Sequence, residues 1–377
     1  MRITRVFSAF FESEKAGGLV LILATLLSLI LANSPLQTHY VAFWEQPIGS
    51  HSLAEWINDG LMAIFFLLIG LELERELYNG ELSSLKNATL PLVGALGGMV
   101  VPALLFTSFN LGLNTQSGAG IPMATDIAFA IGILSLLGKK VPASLKVFLT
   151  ALAVIDDLGA ILIIAIFYTK TISFAYLLGA LGIWGILLIL NRLKIHHLLP
   201  YLIGGILMWY CMLHSGVHAT ITGVLLAFAL PFGNGSKKTL SYKIQNALHL
   251  PVAFVILPIF ALANTGILWS GTAQDNFTQP VSLGILAGLI IGKPLGIWLF
   301  SKLGAMAKIC SLPEDLKWSH ILGAGFLGGI GFTMSIFITL LAFNHPEDIV
   351  HAKMSILLAS LVAGTIGFAW LKKTLQS

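Results

Sequence analysis

The chain has 377 residues, of which 56% are hydrophobic and 10% carry charge. An average soluble domain carries about 25% charged residues, so a water-soluble globular fold is excluded, and disorder is excluded because it needs low hydrophobicity and high charge. The net charge of +4 comes from basic residues scattered between apolar runs, which argues against a nucleic-acid partner and leaves an all-α polytopic membrane protein.

A membrane helix needs about 20 mostly apolar residues. Twelve stretches are predicted to span: 17–32, 53–71, 88–109, 119–137, 145–168, 174–191, 199–213, 216–230, 248–269, 281–301, 321–343 and 352–371. At the start, Arg2 and Arg5 precede an apolar run, but Glu12, Glu14 and Lys15 interrupt the approach, so the first run is expected to stay as a membrane helix and not to be cleaved. Residues 33–52 join the first two spans, with Pro47, Gly49 and Ser50 as turn formers. Cys211 and Cys310 are too few for a disulfide framework and are expected to be free.

Orientation follows from the basic residues between spans. With the N-terminus inside, eighteen of the 21 Lys and Arg fall in cytoplasmic segments, and only Lys170 and Lys353 fall in outer loops. This predicts two cytoplasmic termini. The remaining cation, Lys293, lies inside the tenth span.

Four charges sit near span centres: Asp126 in ATDIAFAIG, Asp156 and Asp157 in LAVIDDLGA, and Lys293 in LIIGKPLG. Each costs about 2.5–3.5 kcal/mol on insertion scales, roughly 10–14 kcal/mol together. One Lys and one Asp could form a pair that only locks helices, but here three carboxylates face one ammonium, which points to a shared polar site at the midplane. A helix turns the consecutive Asp156 and Asp157 about 100° apart, so they cannot both point at one partner. Neighbouring carboxylates in a poorly solvated place resist ionising together. Carboxylate oxygens also suit hard cations, so the predicted chemistry is competition between protons and a hard metal ion for the same oxygens.

Two of the spans are predicted to be discontinuous. Pro122 precedes Thr125 and Asp126 in the fourth. The eleventh carries Gly323, Gly325, Gly328, Gly329 and Gly331 ahead of Thr333. By contrast, Gly284, Gly288, Gly292 and Gly296 in the tenth recur every four residues, as a packing face does. The fourth and eleventh spans are the middle members of triplets 3–5 and 10–12, which run in opposite directions. That relation suggests inverted repeats whose two discontinuous helices cross.

The segments INDGLMAIFFLLIGLELERE, PMATDIAFAIG, FLTALAVIDDLGAI, SGVHATITGV, ILPIFALANTG, GKPLGI and GGIGFTMSIF, in this order and spacing, resemble the NhaA family of sodium/proton antiporters over nearly the whole chain. Inverted repeats with discontinuous helices belong to this family's fold, so the resemblance implies them as well. The resemblance implies an interface and dimerisation panel, residues 1–87 and 170–280, and a core ion-translocation module, residues 88–169 and 281–377. It implies electrogenic export of Na+ or Li+ for two protons from a bacterial inner membrane, with regulation of intracellular pH and sodium. The transported ions and membrane lipid are its only small partners, with no cofactor and no enzyme activity, and the chain is expected to form a homodimer through residues 33–52. Asp157 would be the principal Na+ ligand and proton carrier, with Asp156 beside it as the second metal-binding carboxylate. Thr125 and Asp126 would lie at the helix crossing. Lys293 would either pair with Asp156 or carry a proton.

Further positions follow from the same resemblance. Asp59 either lines a funnel or caps a helix end. His218, and Glu72, Arg75, Glu76 and His249, would take part in the pH response. Gln245 and Asn246 stand where the family commonly has an acidic residue and a histidine, so only His249 remains titratable near neutrality in this stretch. The alternative reading is a related sodium-coupled organic-anion symporter. An intramembrane aspartyl protease lacks its Gly-x-Gly-Asp motif here, and a retinal protein would need about seven spans.

Overall fold

The computed structural model describes residues 5–169, 172–268 and 277–376. Arg2 and Lys170, used in the orientation argument, lie outside the described residues, as does the predicted end of the ninth span at 269. The regular structure of the described residues is helical apart from one two-stranded hairpin. Seven helices are long and apolar enough to cross a membrane, or ten if each of three bent pairs is one span.

Helix α1 is Arg5–Ala32 and α2 is Gln37–Trp44. A hairpin follows, with β1 (Pro47–Ile48) antiparallel to β2 (His51–Ser52). Gly49 turns it with φ +68, a left-handed conformation that glycine adopts without steric cost. Helix α3, Leu53–Asn79, starts from a capping box: Ser52 Oγ accepts from the Glu55 N–H, and the Ser52 N–H donates to the Glu55 carboxylate at 2.7 Å. Helix α4 is Leu85–Asn110.

The fourth predicted span is a bent pair. A 3-10 arm, Asn114–Met123, meets α5, Ile127–Leu136, at 41°. Ala124 and Asp126 between them are extended, which ends the arm before α5 begins. Helix α6 is Ala143–Phe167, α7 is Phe174–Arg192 and α8 is Leu198–Leu213. Helix α9 is only Ile221–Ala229. Residues 216–220, predicted helical, are turns, and Gly216 has φ +85. Helices α8 and α9 are too short to count as spans by length, which accounts for the difference between ten and the twelve predicted.

Helix α10 is Leu240–Asn264, eight residues longer at its start than predicted, and α11 is Pro280–Met306. The eleventh predicted span is the other bent pair, α12 (Trp318–Gly328) and α13 (Phe332–Ala342), at 49°. Helix α14 is Pro346–Thr374, with Glu347 and Asp348 in its first turn and Lys372 and Lys373 in its last, each complementing the helix dipole. Lys353, assigned from sequence to an outer loop, lies two turns inside α14.

The glycines of α11 do form a packing face. A Cβ at Gly284, Gly288, Gly292 or Gly296 would strike Phe106, Pro122, Pro102 or the Gly97 carbonyl, so α11 lies directly against α4 and the 3-10 arm. Helix α3 packs on α9 in the same way, with Gly70 against Ala227 and Gly223 against the Ala63 carbonyl. A separate apolar cluster joins α3, α7, α8 and α9 through Leu71, Ala180, Leu187, Tyr201, Met208 and Ala227.

Candidate functional site

The two helix breaks touch. The Asp126 N–H donates to the Ile330 carbonyl at 2.7 Å, and the Thr125 hydroxyl lies 2.9 Å from the Gly328 carbonyl. Asp126 is the N-cap of α5, where its Oδ1 accepts from the Phe129 N–H at 3.1 Å. Its Oδ2 accepts from the Thr333 N–H at 3.1 Å and from the Thr333 hydroxyl at 2.5 Å. One carboxylate therefore serves the N-terminal ends of both α5 and α13, satisfying donors that helix starts leave unpaired and opposing two positive dipole ends. Hydrogen bonds to a charged group are worth about 1.5–3 kcal/mol each, which offsets part of the cost of burying Asp126 at 2% exposure. Sequence reasoning missed Thr333. Its signal was a hydroxyl in the first turn after a glycine-rich break. Ser335 adds a second strut from α13, donating to the Ile121 carbonyl at 2.7 Å.

Asp156 and Asp157 lie on α6, both 1% exposed. As their spacing requires, they do not share a partner. Asp156 Oδ2 is 3.0 Å from Lys293 Nζ and 2.7 Å from the Thr125 hydroxyl. That hydroxyl has one proton and two acceptors, Asp156 and the Gly328 carbonyl, so it can donate to only one at a time. Lys293 is fully buried and also donates to the Met123 carbonyl at the end of the 3-10 arm. A π-helical turn, Gly288–Gly292, immediately precedes it and shifts its phase relative to the rest of α11. Lys293 and Asp156 thus form a buried ion pair. Asp156 Oδ1 and Asp157 Oδ1 are both buried without a hydrogen-bond partner, and Asp157 is the one of the four with neither a hydrogen bond nor an ion pair among the described residues. The charges that act on it come from Asp156, Asp126, Lys293 and Glu72.

Three carboxylates and an ammonium are therefore gathered around two helix breaks, with one carboxylate uncommitted. Among the described residues no three His, Cys, Asp or Glu side chains are placed to hold a metal ion together. A cation at Asp157 would complete its shell with hydroxyls, carbonyls or water, which suits a hard, weakly held ion.

The family model described as Na+/H+ antiporter 1 matches residues 8–371. The chain belongs to this family. It is 63% identical over its full length to a relative from Flavobacterium johnsoniae named Na(+)/H(+) antiporter NhaA 1, covering 99% of that protein. It is 59% identical to an NhaA from Dechloromonas aromatica, over 98% of this chain and 96% of that one. The solved structure of the sodium proton antiporter MjNhaP1 from Methanocaldococcus jannaschii at pH 8 matches with a TM-score of 0.57, at 17% identity, over 100% of this chain and 99% of that one. At that identity the likeness speaks for the fold, and with the apolar helices it describes a multi-pass membrane protein.

Around the centre, the other predicted residues of this family member form two groups. Asp59 does not cap a helix end, since Ser52 does so and Asp59 lies in a π-helical turn, Ile57–Leu61. It pairs with His218 across 3.4 Å, and His218 Nδ1 lies 2.8 Å from the Thr220 hydroxyl. Residues singled out separately are thus one cluster, next to Phe337 of α13. At the opposite end of α3, Glu72 and His249 line a small cavity of about 40 Å³ with Ile127 and Ala128, the first residues of α5. Glu72 is within side-chain hydrogen-bonding reach of Gln245, and Arg75 lies over the Tyr242 ring at 5.6 Å. Arg75 is exposed. The carboxylate of this stretch that the fold buries most is Glu74, at 5% exposure, which the sequence reading passed over.

Proposed function

We propose that this protein exports Na+ or Li+ in exchange for protons, two per ion, with Asp157 as the oxygen ligand for which they compete. The observation that carries this reading is the buried Asp157 carboxylate, uncommitted beside the Asp156–Lys293 pair. Protonation neutralises the Asp157 carboxylate. A cation restores the charge balance when the proton leaves. The two states are alternatives at one site, so each ion expels the other. Asp156 lies 3.0 Å from an ammonium that it can release when it turns to the ion, and the second proton travels on that pair.

With two protons entering per Na+ leaving, one net charge moves inward per cycle, worth about 2.3 kcal/mol per 100 mV of membrane potential. The architecture fitting this cycle has twelve spans, with the 3-10 arm plus α5 and the α12–α13 pair as discontinuous helices crossing at Asp126. Residues 88–169 and 281–377 form the moving core, and residues 1–87 and 170–280 the panel. Both termini face the cytoplasm of a bacterial inner membrane, and the β1–β2 hairpin joins two copies. The Glu72, Arg75, Glu76 and His249 group and the Asp59–His218 pair lie toward opposite ends of α3 and adjust the response to pH.

Everted membrane vesicles holding an acid interior test the reading. Adding Na+ should release the trapped protons, and Li+ should do the same. A pH gradient that Na+ and Li+ leave untouched would contradict it.

A further inference from the structure

Helix α6 carries a polar residue for which the exchange just described has no role. Thr150 Oγ1 is buried and hydrogen-bonds to nothing among the described residues. Threonines inside other helices behave differently. Thr25, Thr107, Thr339 and Thr365 each donate to the carbonyl four residues earlier, the usual refuge of a helical hydroxyl. Thr150 does not make that bond. An orphaned buried hydroxyl is rarely kept without a reason. The other hydroxyls in this condition among the described residues, those of Thr222, Ser301 and Ser355, are on α9, α11 and α14.

The position of Thr150 supplies the reason. Spacings of four, three and four residues put Lys146, Thr150, Ala153 and Asp157 on one face of α6. This stripe runs from the first turn of the helix to the uncommitted carboxylate, about 16 Å along the axis, and Thr150 stands about 10 Å short of Asp157. Between them, Ala153 contributes only a methyl group. Asp156, a quarter-turn away, holds Lys293 through Oδ2 and lies off this stripe, which leads to Asp157. Helix α6 also packs against α3, whose Glu72 is near enough for its charge to act on Asp157.

We infer that the Thr150 hydroxyl is an oxygen ligand on the approach to Asp157, meeting the partly hydrated Na+ from the end of α6 that carries Lys146, the cytoplasmic end in the reading above. A hydroxyl offers two lone pairs and no charge, so it can replace one water of the ion without trapping it. This inference rests on Asp157 being the exchange site.

The test compares Thr150→Val, which keeps the shape and removes the oxygen, with Thr150→Ser, which keeps the oxygen. Na+-dependent proton movement is measured at alkaline pH in everted vesicles, where Na+ meets the cytoplasmic face, and in right-side-out vesicles. Thr150→Val should raise the half-saturating Na+ at the cytoplasmic face at least threefold and leave the opposite face unchanged, and Thr150→Ser should match the wild type. Thr150→Ala serves as the second oxygen-free variant if the valine form is not recovered in membranes. An oxygen-free variant with wild-type half-saturation at the cytoplasmic face overturns the inference. So does an equal shift at both faces, which would mean a general packing defect. Asp157→Asn is run alongside. If it is inactive while the oxygen-free variants are normal, only the role of Thr150 is lost; if it exchanges like the wild type, the site reading itself is lost.

Discussion

Replacing Lys293 by Met keeps the length of the side chain and removes its charge. The ammonium lies 3.0 Å from Asp156 with both side chains fully buried. At an effective dielectric of about 20 the pair attracts by roughly 5.5 kcal/mol. Desolvation offsets most of that in the intact pair, so the larger effect is the stranding of Asp156, about 3–5 kcal/mol for a buried pair that loses one partner. The Met123 carbonyl loses its donor as well. Unfolding of purified protein in detergent should therefore show Lys293→Met strongly destabilised at pH 8. The defect should shrink toward pH 5, because the stranded carboxylate can then be neutralised by a proton. The double variant Lys293→Met, Asp156→Asn should recover at least half of the loss at pH 8, since no charge is left unpaired. A Lys293→Met protein as stable as the wild type at pH 8, or a double variant less stable than Lys293→Met alone, would refute the argument.

Three further outcomes follow from the same geometry. Thr333→Val removes one of the three hydrogen bonds received by the Asp126 carboxylate and should cost about 1.5–3 kcal/mol in the same unfolding assay, with Thr333→Ser close to the wild type. Gln245→Glu places a second carboxylate beside Glu72 and should shift the pH profile of exchange more than it shifts the Na+ affinity at alkaline pH; the reverse pattern would remove this group from pH regulation. An inside-positive potential across everted vesicles should accelerate Na+ uptake at fixed pH gradient, whereas insensitivity to potential would mean one-for-one exchange.

The centre of the protein was legible because charge in a membrane helix is costly and rare. Asp126, Asp156, Asp157 and Lys293 announce themselves, and Pro122 and the glycines before Thr333 mark the two breaks. Helical geometry alone separated Asp156 from Asp157, and in the structure Asp156 holds Lys293 while Asp157 has no partner among the described residues. What stayed hidden were contacts across long sequence distances. Nothing local ties Thr333 to Asp126, 207 residues away, or His218 to Asp59. The π-helical turns at Ile57–Leu61 and Gly288–Gly292 were not read from the sequence either. Glu74 could have been found: it follows by one turn Gly70, which packs on Ala227, and so lies on the buried face of α3. The short α9 was overestimated because its apolar run extends past the turn at Gly216.

The central claim is that Na+ and protons compete for Asp157. It is tested most directly by proton release from purified protein in weakly buffered detergent when Na+ is added. The wild type should release protons as Na+ binds. More Na+ should be needed to reach half-release as the starting pH falls, and saturating Na+ should overcome acid inhibition. Asp157→Asn, with an amide that cannot exchange a proton in this range, should release none. Na+ binding without proton release in the wild type, or undiminished release from Asp157→Asn, would contradict the account.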